Sequence, residues 1–122
     1  MANVKPGAEQ LAEISRFFRL LSEPARLQLL CELRDSPSDV QTLMERTGFS
    51  QSHLSRQLSQ LSQAGLVRSE RQGQRLIFHA DDPLVDDLCA LVSQRLRQTL
   101  EDRLQTLAPA PAQGQPHASA RR

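Results

Sequence analysis

Residues 50–67 read SQSHLSRQLSQLSQAGLV, and the fold turns on how they are understood. Leu54, Leu58 and Leu61 recur at helical spacing, which predicts a helix with one buried stripe. The rest of its surface is almost all Ser and Gln, with one His and one Arg. A helix that meets only water favours Glu and Lys, whose i,i+4 pairs stabilise it. Amides and hydroxyls in their place suit a surface that must satisfy hydrogen-bonding groups of a partner.

Reading outward, Ser50 caps this helix and Gly65 ends it. Upstream, DVQTLMERTG predicts a short helix that turns Val40, Leu43 and Met44 inward and stops at Gly48. Before it, EPARLQLLCELRD predicts a helix that buries Leu27, Leu30, Cys31 and Leu33, with Ser22 as N-cap. A first helix starts near Ala8, with Leu11, Ile14, Phe17, Phe18 and Leu21 at helical spacing. Downstream, LVRSERQGQRLIFHA places β-type residues on both sides of Gln72-Gly73-Gln74, the pattern of a hairpin. Pro83 opens a long final helix with Leu84, Leu88, Leu91, Val92, Leu96, Leu100, Leu104 and Leu107 on one broad side.

The expected fold is therefore mainly α, in the order α-α-α-α-β-β-α, a winged helix-turn-helix. Its 122 residues suit one domain. The expected boundaries are a flexible start over 1–7, a folded domain over 8–107 and a disordered tail over 108–122, where APAPAQGQPHASARR has no apolar period. The chain has no Trp or Tyr and four Phe, so Leu supplies most of the core. No apolar run approaches the roughly 18 residues that span a bilayer, and the N-terminus has no apolar signal core, so no membrane partner is expected. Two cysteines are too few for a disulfide scaffold, which suits the reducing cytoplasm.

The amide-rich helix then gains a chemical meaning. Gln presents a paired donor and acceptor that match adenine, Arg a fork that matches guanine, and Ser adapts to either. The net charge is only +1, yet residues 50–80 carry Arg56, Arg68, Arg71 and Arg75 against the single acid Glu70. A local excess of cations on a helix and hairpin is the footprint of a nucleic-acid face. Double-stranded DNA is the expected partner. Ser50, Gln51, Ser52, His53 and Arg56 lie in the first turns, the end that reaches base edges. Ser55, Gln57 and Gln60 are expected at phosphates or the groove wall, and Arg71 and Arg75 at the backbone or minor groove from the wing.

The stretches LLSEPARLQLLCEL and VQTLMERTGFSQSHLSRQLSQLSQAGLVRSERQGQRLIFHADD resemble the ArsR/SmtB family of bacterial transcriptional repressors. The resemblance runs from about Phe17 to Leu107. It rests on Leu-x-x-Pro-x-Arg, which opens the second helix, and on the Ser, Leu and Ala-Gly-Leu-Val spacing of residues 50–67. It implies a homodimer that binds an inverted-repeat operator and is released by an inducer. Size points the same way, because a helix-turn-helix of about 60 residues buries little apolar surface alone. Phe17, Phe18, Leu21, Leu91, Val92, Leu96 and Leu100 are the expected dimer core. A twofold dimer would set its two reading helices about 34 Å apart on one face of the duplex.

Family members that bind metals carry Cys-x-Cys in the third helix, or Asp and His ligands in the last. Here the first location reads Asp39-Val40-Gln41-Thr42-Leu43. At the second, Asp81, Asp82, Asp86 and Asp87 cluster, with no His until His117. No metal and no cofactor is expected, and the acids suit a helix N-terminus. A thiol-sensing branch of the family carries a reactive Cys where Cys31 stands and links it to a Cys of the last helix. Cys89 lies in that helix, but about eight residues, or about 12 Å, before the matching position at Arg97. A disulfide needs Cα atoms within about 7 Å. Both cysteines as buried small hydrophobes, and at least one as a redox-active thiol, remain open readings.

A winged-helix protein-interaction module without DNA binding is the alternative function. Such a module would show apolar or acidic residues on the fourth helix, which is amide- and Arg-rich instead. An enzyme has no support, since the chain holds no nucleophile elbow, Gly-rich phosphate loop or His-Glu-x-x-His.

Overall fold

Proline, glycine and short polar side chains set where the helices begin and end. The computed structural model describes residues 4–107, in the order α1 (Ala8–Leu21), α2 (Pro24–Asp35), α3 (Val40–Thr47), α4 (Gln51–Gln63), β1 (Arg68–Gln72), β2 (Arg75–His79) and α5 (Leu84–Leu107). This is the winged helix-turn-helix order. The expected disordered tail lies outside the described residues. Contacts divide the chain into one unit through Val85 and another from Asp86 onward.

Asp39 caps α3 by accepting from Thr42 N at 2.9 Å, and Ser50 caps α4 by accepting from His53 N at 3.1 Å. Gly48 follows α3 at φ 77°, a left-handed conformation that costs glycine nothing. At the end of α4, Leu66 N donates to Leu61 O and Gly65 N to Ser62 O, with Gly65 at φ 78°. That pair of bonds satisfies the last carbonyls of α4 and folds buried Leu66 back beside buried Leu61. The N-cap of α2 is Glu23 and not Ser22. Pro24 has no N–H and takes the first helical position, so the cap falls one residue later than expected. Ser22 instead ends α1, its hydroxyl donating to Arg19 O at 2.8 Å.

β1 and β2 pair antiparallel from Arg68↔His79 to Gln72↔Arg75. The two-residue turn holds Gly73 at φ 65° and Gln74 at negative φ, the signs of a II′ turn. The loop before α3 adds a contact the sequence does not suggest. Ser38 and Phe78 exchange two backbone bonds, N to O at 3.2 and 2.9 Å, so the outer edge of β2 is tied to the start of the helix-turn-helix.

The core of the first unit is mostly leucine: Leu29, Leu30, Leu33, Leu43, Leu54, Leu58, Leu61 and Leu66, with Val67, Ile77, Ala80 and Val85. On α2 the buried positions are Leu29, Leu30 and Leu33. Cys31 is exposed and Leu27 half-buried, against expectation, because Leu29 fills the core and turns the stripe by part of a helical step. None of α1 is buried: Phe18 is 54% exposed, and Phe17 and Leu21 are half-buried. On α5, Leu91, Val92, Leu96 and Leu100 are each more than half exposed. The apolar residues expected at a dimer core are thus left largely uncovered by a single chain. No described helix is long and apolar enough to cross a membrane.

Candidate nucleic-acid interface

The two faces of α4 have opposite roles. Leu54, Leu58 and Leu61 hold it to the core, with Leu54 and Leu61 fully buried. Ser50, Gln51, Ser52, Ser55, Arg56 and Ser59 are all exposed, so they form a surface with one cation and no acid. Ser50 and Ser52 lie with their hydroxyl oxygens 3.4 Å apart at the N-terminal end. That end carries a helix N-terminus and its partial positive charge, which favours a phosphate. His53 is half-buried, its ring tilted against Phe49 with centroids 4.7 Å apart.

The wing is less basic than its sequence suggests. Arg68 Nε donates to Asp81 at 2.6 Å and its Nη1 to Glu70 at 3.2 Å, and these carboxylates push its pKa further up. Glu70 also lies 3.1 Å from His79 Nε2. Arg75 Nε donates to Asp39 Oδ2 at 2.9 Å. The same Asp39 caps α3 through its other oxygen. Both contacts, Arg75 first, hold the Asp39 carboxyl well below the usual carboxylate range. Arg56 and Arg71 have no ion-pair partner among the described residues.

A fold with an acid-free helix face beside a hairpin has known counterparts. A model described as "Bacterial regulatory protein, arsR family" matches residues 23–69. The chain is 33% identical over 101 residues to Rv0081 of Mycobacterium tuberculosis, an HTH-type transcriptional regulator; these cover 82% of this chain and 89% of that one. The chain belongs to the ArsR family. It is 38% identical over 77 residues, 63% of this chain and 62% of the other, to the probable mercury resistance operon repressor of Streptomyces lividans. The crystal structure of Rv0081 superposes with a TM-score of 0.68 at 31% identity, covering 83% of this chain and 99% of that one. The homodimeric winged helix-turn-helix DNA-binding domain of Mb0332 from Mycobacterium bovis superposes at 0.64 with 28% identity, covering 80% and 92%. As an ArsR-family regulator the protein is a DNA-binding regulator of transcription and not an enzyme.

Within this ArsR frame one expected contact is relocated and a second side chain is shared. Gln57 is buried, 6% exposed, so it cannot reach phosphate or the groove wall. Its Oε1 accepts from Arg26 Nε at 2.5 Å, and its Nε2 lies 3.4 Å from Glu23 Oε1 and 3.2 Å from His53 Nε2. The reason is positional: Gln57 falls beside Leu54 and Leu58, on the stripe that packs. Gln60 is exposed, but its carbonyl oxygen also accepts from Arg26, through Nη2. Arg26 closes the set by donating from Nη1 to Leu20 O at 3.0 Å, one of the unsatisfied carbonyls at the end of α1.

Arg26 and Asp39 are residues that sequence reasoning missed. Each carried a signal. Arg26 is a cation in the first turn of α2, where the helix dipole disfavours it, so its position calls for another employer. Asp39 is an N-cap residue type just before Val40, but its second oxygen needed the fold to find Arg75, 36 residues away. The acids near α5 are similarly employed: Asp81 on Arg68, and Asp82 Oδ1 on Leu84 N at 2.9 Å.

Proposed function

We propose that this ArsR-family regulator is a homodimeric repressor that reads an inverted-repeat operator with α4 and is released by an inducer. The observation that carries this reading is the outward face of α4: Gln51, Ser52, Ser55 and Arg56 are exposed together, with no carboxylate among them. Such a face hydrogen-bonds base edges without repelling phosphate. Arg56 supplies the fork for guanine, Gln51 the amide for adenine, and Arg71 an uncompensated charge for the backbone. Dimerisation follows from the exposed apolar sides of α1 and α5, which a second copy would cover. The likeness to a homodimeric DNA-binding domain and to a mercury resistance operon repressor supports both parts. The exposed thiol of Cys31, with Cys89 as its partner or as a bystander, is where an oxidant or persulfide would act.

Selection of bound duplexes from a randomised 30-base-pair pool tests the reading. Enriched sequences are expected to share an inverted repeat with half-site centres about 10 base pairs apart. Arg56→Ala is expected to cost about 1–3 kcal/mol on the enriched duplex and to relax base preference at one position of each half-site. No enrichment, or unchanged preference in Arg56→Ala, overturns it.

A further inference from the structure

We infer that Arg26 and Gln57 are positioning residues that set the tautomer of the His53 imidazole, with its proton on Nδ1, so that a side chain of the DNA-reading helix offers a hydrogen-bond donor there. This inference rests on the DNA-facing reading of α4. It begins with a buried amide. The two ends of the Gln57 side chain differ chemically, and its neighbours permit one orientation. Arg26, whose side chain is only 12% exposed, is a donor at every nitrogen, and its Nε stands 2.5 Å from Gln57 Oε1. Glu23 is a carboxylate and accepts only; its Oε1 stands 3.4 Å from Gln57 Nε2. Both constraints point the oxygen toward Arg26 and the NH2 away from it.

That NH2 has two hydrogens and two neighbours. One hydrogen goes to Glu23 and the other to His53 Nε2, 3.2 Å away. A nitrogen that faces a donor must itself accept, so His53 Nε2 is unprotonated and the ring proton resides on Nδ1. Contact with Phe49 restrains the ring in this setting. The Nδ1–H matches a phosphate oxygen or the acceptors of guanine, and does not match the amino groups of adenine or cytosine. Rotating the Gln57 amide by half a turn would present its oxygen to His53 and reverse the tautomer. Arg26 forbids that rotation, because a guanidinium would then face an NH2. A cation on α2 thereby sets the hydrogen-bond polarity of a side chain on the reading helix.

The test is a long-range proton–nitrogen correlation spectrum of the uniformly labelled, DNA-free protein at pH 8, above the usual range for histidine. His53 is assigned from the signals lost in His53→Gln. The expected pattern has the unprotonated nitrogen coupled to both ring carbon-bound protons, the signature of Nε2. In Gln57→Glu an acceptor replaces the NH2, and the proton is expected to move to Nε2. Gln57→Met, which removes the donor without adding charge, is expected to abolish the preference and serves where the Glu variant fails to fold. A protonated Nε2 in the parent protein, or an unchanged pattern in the variant that folds, overturns the inference. The spectrum needs no DNA. Failure of the operator reading appears instead as the absence of enrichment from the duplex pool.

Discussion

Replacing each wing arginine by alanine should separate those that neutralise phosphate from those that already neutralise a protein acid. Log affinity for duplex DNA falls with log salt, with a slope of about −0.9 per phosphate neutralised. Arg71 has no ion-pair partner among the described residues, so Arg71→Ala is expected to remove one phosphate contact per subunit of the proposed dimer. Two subunits lose two contacts, and the slope should flatten by about 1.8. Between 50 and 200 mM salt, a fourfold rise, the parent should then lose roughly twelvefold more affinity than Arg71→Ala. Arg68 is bound to Asp81 at 2.6 Å and Glu70 at 3.2 Å, so Arg68→Ala should leave the slope where it was. Arg75, shared with Asp39, should flatten it less than Arg71 does. Fluorescence anisotropy on any labelled 30-base-pair duplex suffices, because this contribution is independent of sequence. Equal flattening by Arg68→Ala and Arg71→Ala, or none by Arg71→Ala, would refute this division of charge.

Asp39 should titrate in carbon-detected NMR below the ordinary carboxylate range, and should move back toward it in Arg75→Ala. A carboxyl held low favours the fold above its ordinary range and loses that contribution as pH falls through its folded pKa, so the Arg75 contact should persist through mildly acidic conditions. An unmoved Asp39 in Arg75→Ala would remove Arg75 as the cause. Leu96→Asp, at an exposed apolar site of α5, should shift the protein from dimer to monomer in sedimentation and weaken operator binding together; a dimer that survives would place the interface elsewhere. Polysulfide treatment should release the parent from DNA and spare Cys31→Ser. An equal response of the two excludes Cys31 as the sensing thiol.

How far the sequence carried depends on whether a feature is made by neighbours along the chain or by distant residues. The ends of α3 and α4 were legible because caps are local: Gly48, Ser50 and Gly65 all act within one turn of where they stand. Gly73 was legible because a two-residue hairpin turn needs a positive φ there. Ser22 misled, because its hydroxyl suits an N-cap but the adjacent proline decides which residue is last before the helix. The stripe of α2 misled for a related reason. Its run of apolar residues fits more than one helical face, and only packing picks Leu29 over Cys31.

The proposed reading face was legible as a class of surface and not as a set of contacts. Helical spacing sets Gln57 beside Leu54, Leu58 and Leu61, yet as an amide it reads in the sequence as a surface group, like Gln51 and Gln60. What divides them is Arg26, a residue 31 positions before Gln57 in the chain. A guanidinium only 12% exposed must have acceptors, and leaving it unpaired would be strongly destabilising. Packing therefore claims Gln57 outright and the side-chain carbonyl of Gln60, and leaves the exposed Gln51, Ser52, Ser55 and Arg56 for the proposed contact with DNA. The same accounting governs the wing, where Asp39, Glu70 and Asp81 claim two of its three arginines. A charge count over a segment overstates its pull on phosphate whenever acids outside that segment fold back onto it, as Asp39 and Asp81 do here.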